Sequence, residues 1–271
     1  SPFYTLRFDD GSRFDCFGDP DAMRREVARL SPGDVAGYER FMRLSAALCR
    51  VGFEELGDAS FAGLADMARA VPGLLRYGAW RSVHATVARH VRDERLRTAF
   101  SFHPLLIGGN PFRASAIYAL IPHLERQWGV HWAMGGTGHL VQGLCGLVRS
   151  QGGRIRLGAD VAGILCEGRR VRGVALANGE RIAAEVVVSN ADSAWTYRHL
   201  LDGAVRRRWT DRRLDRTRSS MGLFVWYFGT RRRFDAVGHH TILLGARYRG
   251  LLHDIFERKV LAPDFSLYLH R

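Results

Sequence analysis

Hydrophobic and polar positions change period several times along the chain, and each change predicts an element. Phe3 to Phe8 and Ser12 to Phe17 flank Asp9-Asp10-Gly11, the pattern of a β-hairpin. Asp19-Pro20 opens a helix through Leu30. Ser31-Pro32-Gly33-Asp34 then combines a capping serine, a proline suited to the first helical position and an acidic first turn. Val35, Tyr38, Phe41, Met42, Ser45, Leu48 and Cys49 follow at helical spacing. A further helix is predicted from Phe61 to Val71, broken at Pro72. On it Asp66 and Arg69 lie three apart on one face, where their plain reading is an exposed ion pair. Trp80, Val83, His84, Val87 and Val91 mark another apolar helical face, and Asn110-Pro111 is read as opening a helix that runs to Arg126.

From Trp132 to Asp192 the pattern is a glycine turn, one helix and several short strands. Leu140, Val141, Leu144, Leu147 and Val148 form one apolar stripe between Gly138 and the cap at Gly152-Gly153. Arg154 to Leu157, Val161 to Cys166, Val171 to Leu176 and Arg181 to Ala184 read as strands, with Asn178-Gly179 as a type I′ hairpin turn. Glu185 to Ser189 reads as a strand buried on both faces, because Val186-Val187-Val188 does not alternate. Phe224-Val225-Trp226-Tyr227-Phe228 reads the same way, as one wall of a cavity. Thr241 to Gly245 and Phe265 to His270 look like further strands of that sheet, separated by a helix near Leu251 to Phe256.

Composition adds a charge problem. The 271 residues carry a net charge of +13, and Lys259 is the one lysine among 40 basic residues. Arg206 to Arg233 concentrates the excess, against Asp211 and Asp215 alone, and suggests an anionic partner surface. Zinc-finger, helix-turn-helix and RNP patterns are missing, so nucleic acid is not expected. A basic, lipid- or nucleic-acid-binding module without enzymatic activity stays open at this point. Cys16, Cys49, Cys145 and Cys166 are far apart, without the paired spacing of a zinc site, which argues for reduced thiols in a cytoplasmic protein and for no metal. The run Gln127 to Val148 has no charged residue, but its glycines, histidines and glutamines argue against a membrane span. Gly136 to Val141 spells G-x-G-x-x-V, short of the dinucleotide fingerprint by its last glycine, and a tight turn opening a helix explains it.

Longer strings say more. GGTGHLVQGL from Gly135, V-x-x-I at Val161 to Ile164, GV-x-L-x-NGE at Gly173 to Glu180 and VVSNAD ending at Asp192 resemble flavin-dependent carotenoid desaturases of the bacterial and fungal phytoene desaturase type. SPFYTLRFDDG, the run Arg97 to Ile121, ERQWGV, LFVWYFG, HHT, ARYR and DFSLYLH resemble the same family in the same order, so the resemblance spans the whole chain. Family members are longer, and the resemblance implies an internal piece. It also implies an α/β (α+β) fold of the amine-oxidase-like type, a Rossmann-like FAD domain with a substrate domain of mixed and antiparallel sheet. Residues 1–131 would be a substrate or cap region, 132–200 the returning segment of the FAD domain, and 201–271 substrate-domain strands with a basic helix.

The same resemblance implies FAD as cofactor, a long apolar phytoene-like polyisoprenoid as substrate, and peripheral attachment to a membrane surface. Asp66 and Arg69 fall where the family has an Asp and an Arg proposed to face the reaction centre, which implies acid/base and charge-stabilising roles for them. Val161 falls where the family's backbone faces the adenine, and Asn190 and Ala191 at the strand end near the adenosine portion. Phe224 and Trp226 are the candidate substrate contacts. A sister carotenoid isomerase, ketolase or saturase would carry the same strings.

Overall fold

The computed structural model describes residues 2–59 and 63–271; within the third helix the side chains at 64, 65, 67, 69 and 70 lie outside the description. The chain divides into two compact units, one formed by residues up to His131 and from Ser220 onward, the other by Trp132–Ser219.

In the first unit the predicted hairpin forms: β1 (Tyr4–Arg7) pairs antiparallel with β2 (Arg13–Cys16). Helix α1 (Pro20–Leu30) starts at an Asp19 cap whose Oδ1 accepts from the Ala22 N–H at 2.7 Å. A 3-10 turn (Pro32–Asp34) precedes α2 (Val35–Cys49), which passes into a π turn (Arg50–Glu55). Asp34 caps neither helix; its buried carboxylate accepts from the N–H groups of Arg92 and Asp93 at 2.8 and 2.9 Å. Gly37 on α2 is held close to the same segment, because a Cβ there would lie 1.9 Å from the His90 carbonyl oxygen. Helix α3 (Leu64–Arg76) runs through Pro72 and does not break there. The proline withholds one N–H from the Ala68 carbonyl, and Ala68 is exposed, where a free carbonyl costs least. The predicted start of this helix at Phe61 lies outside the described residues.

Helices α4 (Val83–Ala88), α5 (Glu94–Ala99) and α6 (Ile121–Trp128) follow. The helix expected from Pro111 begins late: a turn at Asn110 leads to a 3-10 segment (Ala116–Leu120) and only then to α6. The core of the unit forms between sheet and helices, where Leu6 and Phe14 are fully buried in one cluster with Val27, Phe41, Leu48, Val83, Val87 and Phe100. A buried polar contact crosses this core. The Tyr4 hydroxyl donates to Glu125 Oε2 at 2.8 Å and meets His103 Nε2 at 3.1 Å, and burial raises the Tyr4 phenol well above its ordinary range.

In the second unit α7 (Thr137–Ser150) is followed by β3 (Val161–Glu167), β4 (Arg170–Leu176) and β5 (Arg181–Ala183), an antiparallel sheet in the order β3-β4-β5. Gly173 is required there: its φ is 144°, and a Cβ would lie 2.0 Å from the Ile182 carbonyl oxygen. Asn178-Gly179 does not form a type I′ turn. Only Gly179 has positive φ, and the N–H of Gly179 bonds the Leu176 carbonyl while the Leu176 N–H bonds the Glu180 carbonyl, the pattern of a type I turn closed by a glycine bulge. Two short helices complete the unit, α8 (Ser193–Trp195), continued by a π turn, and α9 (Asp211–Asp215).

The first unit then resumes with β6 (His240–Leu243), α10 (Tyr248–His253) and β7 (Leu267–His270). β6 joins β1 in parallel and β7 joins β6 antiparallel, giving a mixed sheet in the order β2-β1-β6-β7. Three predicted strands do not form. Arg154 to Leu157, Val186 to Val188 and Phe224 to Phe228 are unpaired, and Val188 and Phe224 are about 90% exposed. Apolar content favours burial, but a strand exists only where a neighbour takes its backbone groups, and no described residue pairs with these three.

Candidate functional site

In the second unit, Gly135 and Gly136 both take positive φ, 84° and 86°, and turn the chain into α7. No residue of α7 is buried; the stripe Leu140, Val141, Leu144, Leu147 and Val148 is exposed along its length. The stripe predicted from spacing is therefore real, and among the described residues nothing covers it.

Val161 is the first residue of β3, and β4 pairs with only one edge of that strand. The Asp160 carbonyl accepts from the Ala177 N–H at 2.8 Å, on the β4 side. The two ends of a trans peptide point in opposite directions, so the Val161 N–H faces the unpaired edge, and in extended backbone its C=O faces the same way. One donor and one acceptor side by side are what the edge of an adenine ring requires, so this end of the sheet fits the adenosine portion of a flavin dinucleotide. Asn190 and Ala191 are exposed on the segment that leads to Asp192, whose Oδ1 caps α8 by accepting from the Trp195 N–H at 2.8 Å.

In the first unit, Asp66 sits in the first turn of α3, half-buried, and its Oδ2 accepts from the Gly63 N–H at 3.2 Å. The carboxylate thus has a helix-capping function as well as any chemical one. Arg69 lies one turn on in the same helix, and its side chain is among those outside the described residues. Val71 and Leu75 further along α3 are exposed, as are Phe53 and Trp128, whose rings meet at 5.4 Å. Phe224 and Trp226 belong to the same unit but not to a cavity wall: both are largely exposed, and Trp226 packs on Phe228 at 5.1 Å.

One cluster lies outside the residues singled out from the sequence. The rings of His239, His240 and His270 meet with centroids 4.4 to 5.0 Å apart, because His240 and His270 are directly opposed in the β6–β7 register. Burial, and then the neighbouring rings of His239 and His270, push His240 down to about 4. The strings HHT and DFSLYLH contain all three residues, but strand register is not readable from either string.

Residues 1–258 match the family described as flavin containing amine oxidoreductase, and the chain belongs to that family. Among curated relatives it is 48% identical over 273 residues to "Phytoene desaturase (neurosporene-forming)" of Cereibacter sphaeroides, covering 100% of this chain and 53% of the relative. It is 43% identical over 274 residues to the protein of the same description from Rhodobacter capsulatus, covering 100% and 52%. A "Phytoene desaturase (lycopene-forming)" of Paracoccus sp. is 45% identical over 270 residues, covering 100% and 54%. The chain spans about half the length of these relatives. Its helices, mixed sheet and antiparallel sheet agree with the α/β (α+β) class expected from the sequence.

Proposed function

We propose that the whole protein is an FAD-dependent desaturase of phytoene or a closely related carotenoid precursor. The observation that carries this reading is the similarity to phytoene desaturases at 43–48% identity along the entire chain. The reaction converts a C–C single bond to a double bond by removing two hydrogens. FAD, when bound, supplies the acceptor for one of them as hydride, with both bonding electrons. The other leaves as a proton.

The chain's own residues bind, orient and take that proton. The backbone N–H and C=O of Val161, with Asn190 and Ala191 beyond, hold the adenosine end of the cofactor. Asp66 receives the proton on its carboxylate, and Arg69, one turn on in the same helix, favours the ionised form of that carboxylate before the proton arrives. The substrate has almost no polar groups, so its affinity comes from apolar area, about 25 cal/mol per Å² removed from water. Phe224 and Trp226 supply such area, and their exposure supports contact with either substrate or the membrane that stores it. Attachment is peripheral in this reading; no helix among the described residues is long and apolar enough to cross a bilayer.

The test uses full-length protein with phytoene in liposomes, following the flavin spectrum and the pigments formed. Bound flavin with coloured polyenes supports the desaturase, and Asp66→Asn is then expected to lower kcat by about 10²–10⁴-fold while flavin content holds. Bound flavin with unchanged phytoene would point to a sister isomerase, ketolase or saturase. A protein without flavin would overturn the reading.

A further inference from the structure

We propose that His239, His240 and His270 form a binding site for a divalent transition-metal ion of the zinc class. Their candidate ligand nitrogens all lie within 4.8 Å of one another. In a tetrahedral site with metal–nitrogen bonds of about 2.0–2.1 Å, ligand nitrogens stand about 3.4 Å apart, so rotations about the side-chain bonds close the cluster onto one ion.

The fold explains why three imidazoles gather here. His240 and His270 occupy opposed positions of an antiparallel pair, which puts both side chains on one face of the sheet. His239 precedes β6, so strand alternation does not force it to the opposite face, and its ring stands edge-on to His270 at 4.6 Å. The Arg271 N–H bonds the His239 carbonyl at 3.0 Å, extending the ladder and fixing that backbone beside His270. Tyr268 supports the cluster from outside. Its hydroxyl is hydrogen-bonded to His240 Nδ1, which orients the ring, so that Nε2 would be the nitrogen His240 gives to the metal, the arrangement that metal-bound histidines commonly show. Arg271, next in sequence to His270, is engaged by Asp235 at 3.0 Å.

The ligand set selects the ion. Three neutral imidazoles suit zinc, cobalt, nickel or copper, whereas magnesium and calcium require oxygen donors. His270 is exposed, so a fourth position opens to solvent and takes water, the coordination of zinc sites that keep one place free. Spacing rules for zinc motifs do not detect the site, since its third histidine comes from a strand about thirty positions later.

The test is a titration of the full-length protein, prepared without a histidine tag and stripped with chelator, using Co²⁺ as the spectroscopic probe and Zn²⁺ as competitor. One equivalent of Co²⁺ per chain is expected to saturate with the strong visible absorption of four-coordinate cobalt, and Zn²⁺ to displace it. Tyr268→Phe is expected to weaken binding about 10–100-fold, and His240→Ala or His270→Ala to weaken it further. His270 is exposed, so His270→Ala tests the site even where a change at His240 impairs folding. Weak octahedral spectra without saturation, or saturation unchanged in His270→Ala, would overturn the proposal. Flavin content, read on the same samples, reports separately on the desaturase reading.

Discussion

At the scale of single residues, Val161 shows how a side chain can be almost irrelevant to the position it occupies. The string V-x-x-I locates it, but only the Asp160–Ala177 hydrogen bond shows that the Val161 N–H points away from the sheet. Two substitutions therefore separate backbone from side chain. Val161→Ala keeps the N–H, and flavin affinity in the full-length protein is expected to stay within about threefold, since the proposed contact is one of the backbone. Val161→Pro removes a donor that the ladder does not use, at a strand's first residue where proline is tolerated. It is expected to weaken flavin binding about tenfold or more, the value of about 1.4 kcal/mol or one hydrogen bond. Equal affinity of both variants in a fluorescence titration would sink the adenine contact. Asp34 makes a similar point about stability: it lies in the helix start that the sequence predicts, and its carboxylate is also a buried acceptor joining that start to Arg92 and Asp93. Asp34→Ala leaves those two N–H groups unserved, and urea unfolding is expected to show a loss of about 2–4 kcal/mol.

At the scale of elements, what the sequence shows depends on whether the cause is local. The first hairpin, α1, α7 and the β3–β5 meander all follow from spacing, caps and turn residues within a few positions. The patterns of Val186 to Val188 and Phe224 to Phe228 predict buried strands, yet both runs are largely exposed, because pairing depends on a partner that no local pattern encodes. The histidine cluster is hidden for the same reason, since register alone brings His270 to His240. Caps are local, and α5 allows a test. Asp93 Oδ1 accepts from the Arg95 and Leu96 N–H groups, and its other oxygen pairs with Arg95 at 2.7 Å. Burial pushes the Asp93 carboxyl up, but these bonds outweigh it and hold it below the ordinary value. A carboxylate whose pKa is lower folded than unfolded stabilises the fold above its unfolded value, about 3.9, and loses that contribution as pH falls through the folded one. Asp93→Asn is therefore expected to flatten the decline of stability below about pH 4, measured by urea midpoints across the acid range. An unchanged slope would remove Asp93 from the acid response.

At the scale of the whole molecule, the charge of +13 and the exposed aromatics pose one question, because a soluble surface rarely needs both. They meet in a single run of the first unit. Leu223 to Phe228 is exposed and apolar, and Arg231, Arg232 and Arg233 follow within five residues, with Arg232 stacked on Phe234 at 4.6 Å. Aromatic side chains flanked by arginine support the proposed peripheral attachment, since at an anionic bilayer rings can enter the headgroup layer while cations meet phosphate. Each arginine near such a surface is worth roughly 1 kcal/mol, so replacing Arg231, Arg232 and Arg233 by glutamine is expected to lower partitioning onto anionic vesicles by about 3 kcal/mol, near 100-fold. The difference should shrink as salt shortens the screening length. Trp226→Ala should weaken binding by an amount that salt leaves alone, since apolar burial is not screened. Sedimentation of full-length protein with vesicles at two ionic strengths distinguishes the two contributions. Partitioning that ignores all four changes would overturn the proposed membrane contact of this run and leave only the proposed substrate contact for Phe224 and Trp226.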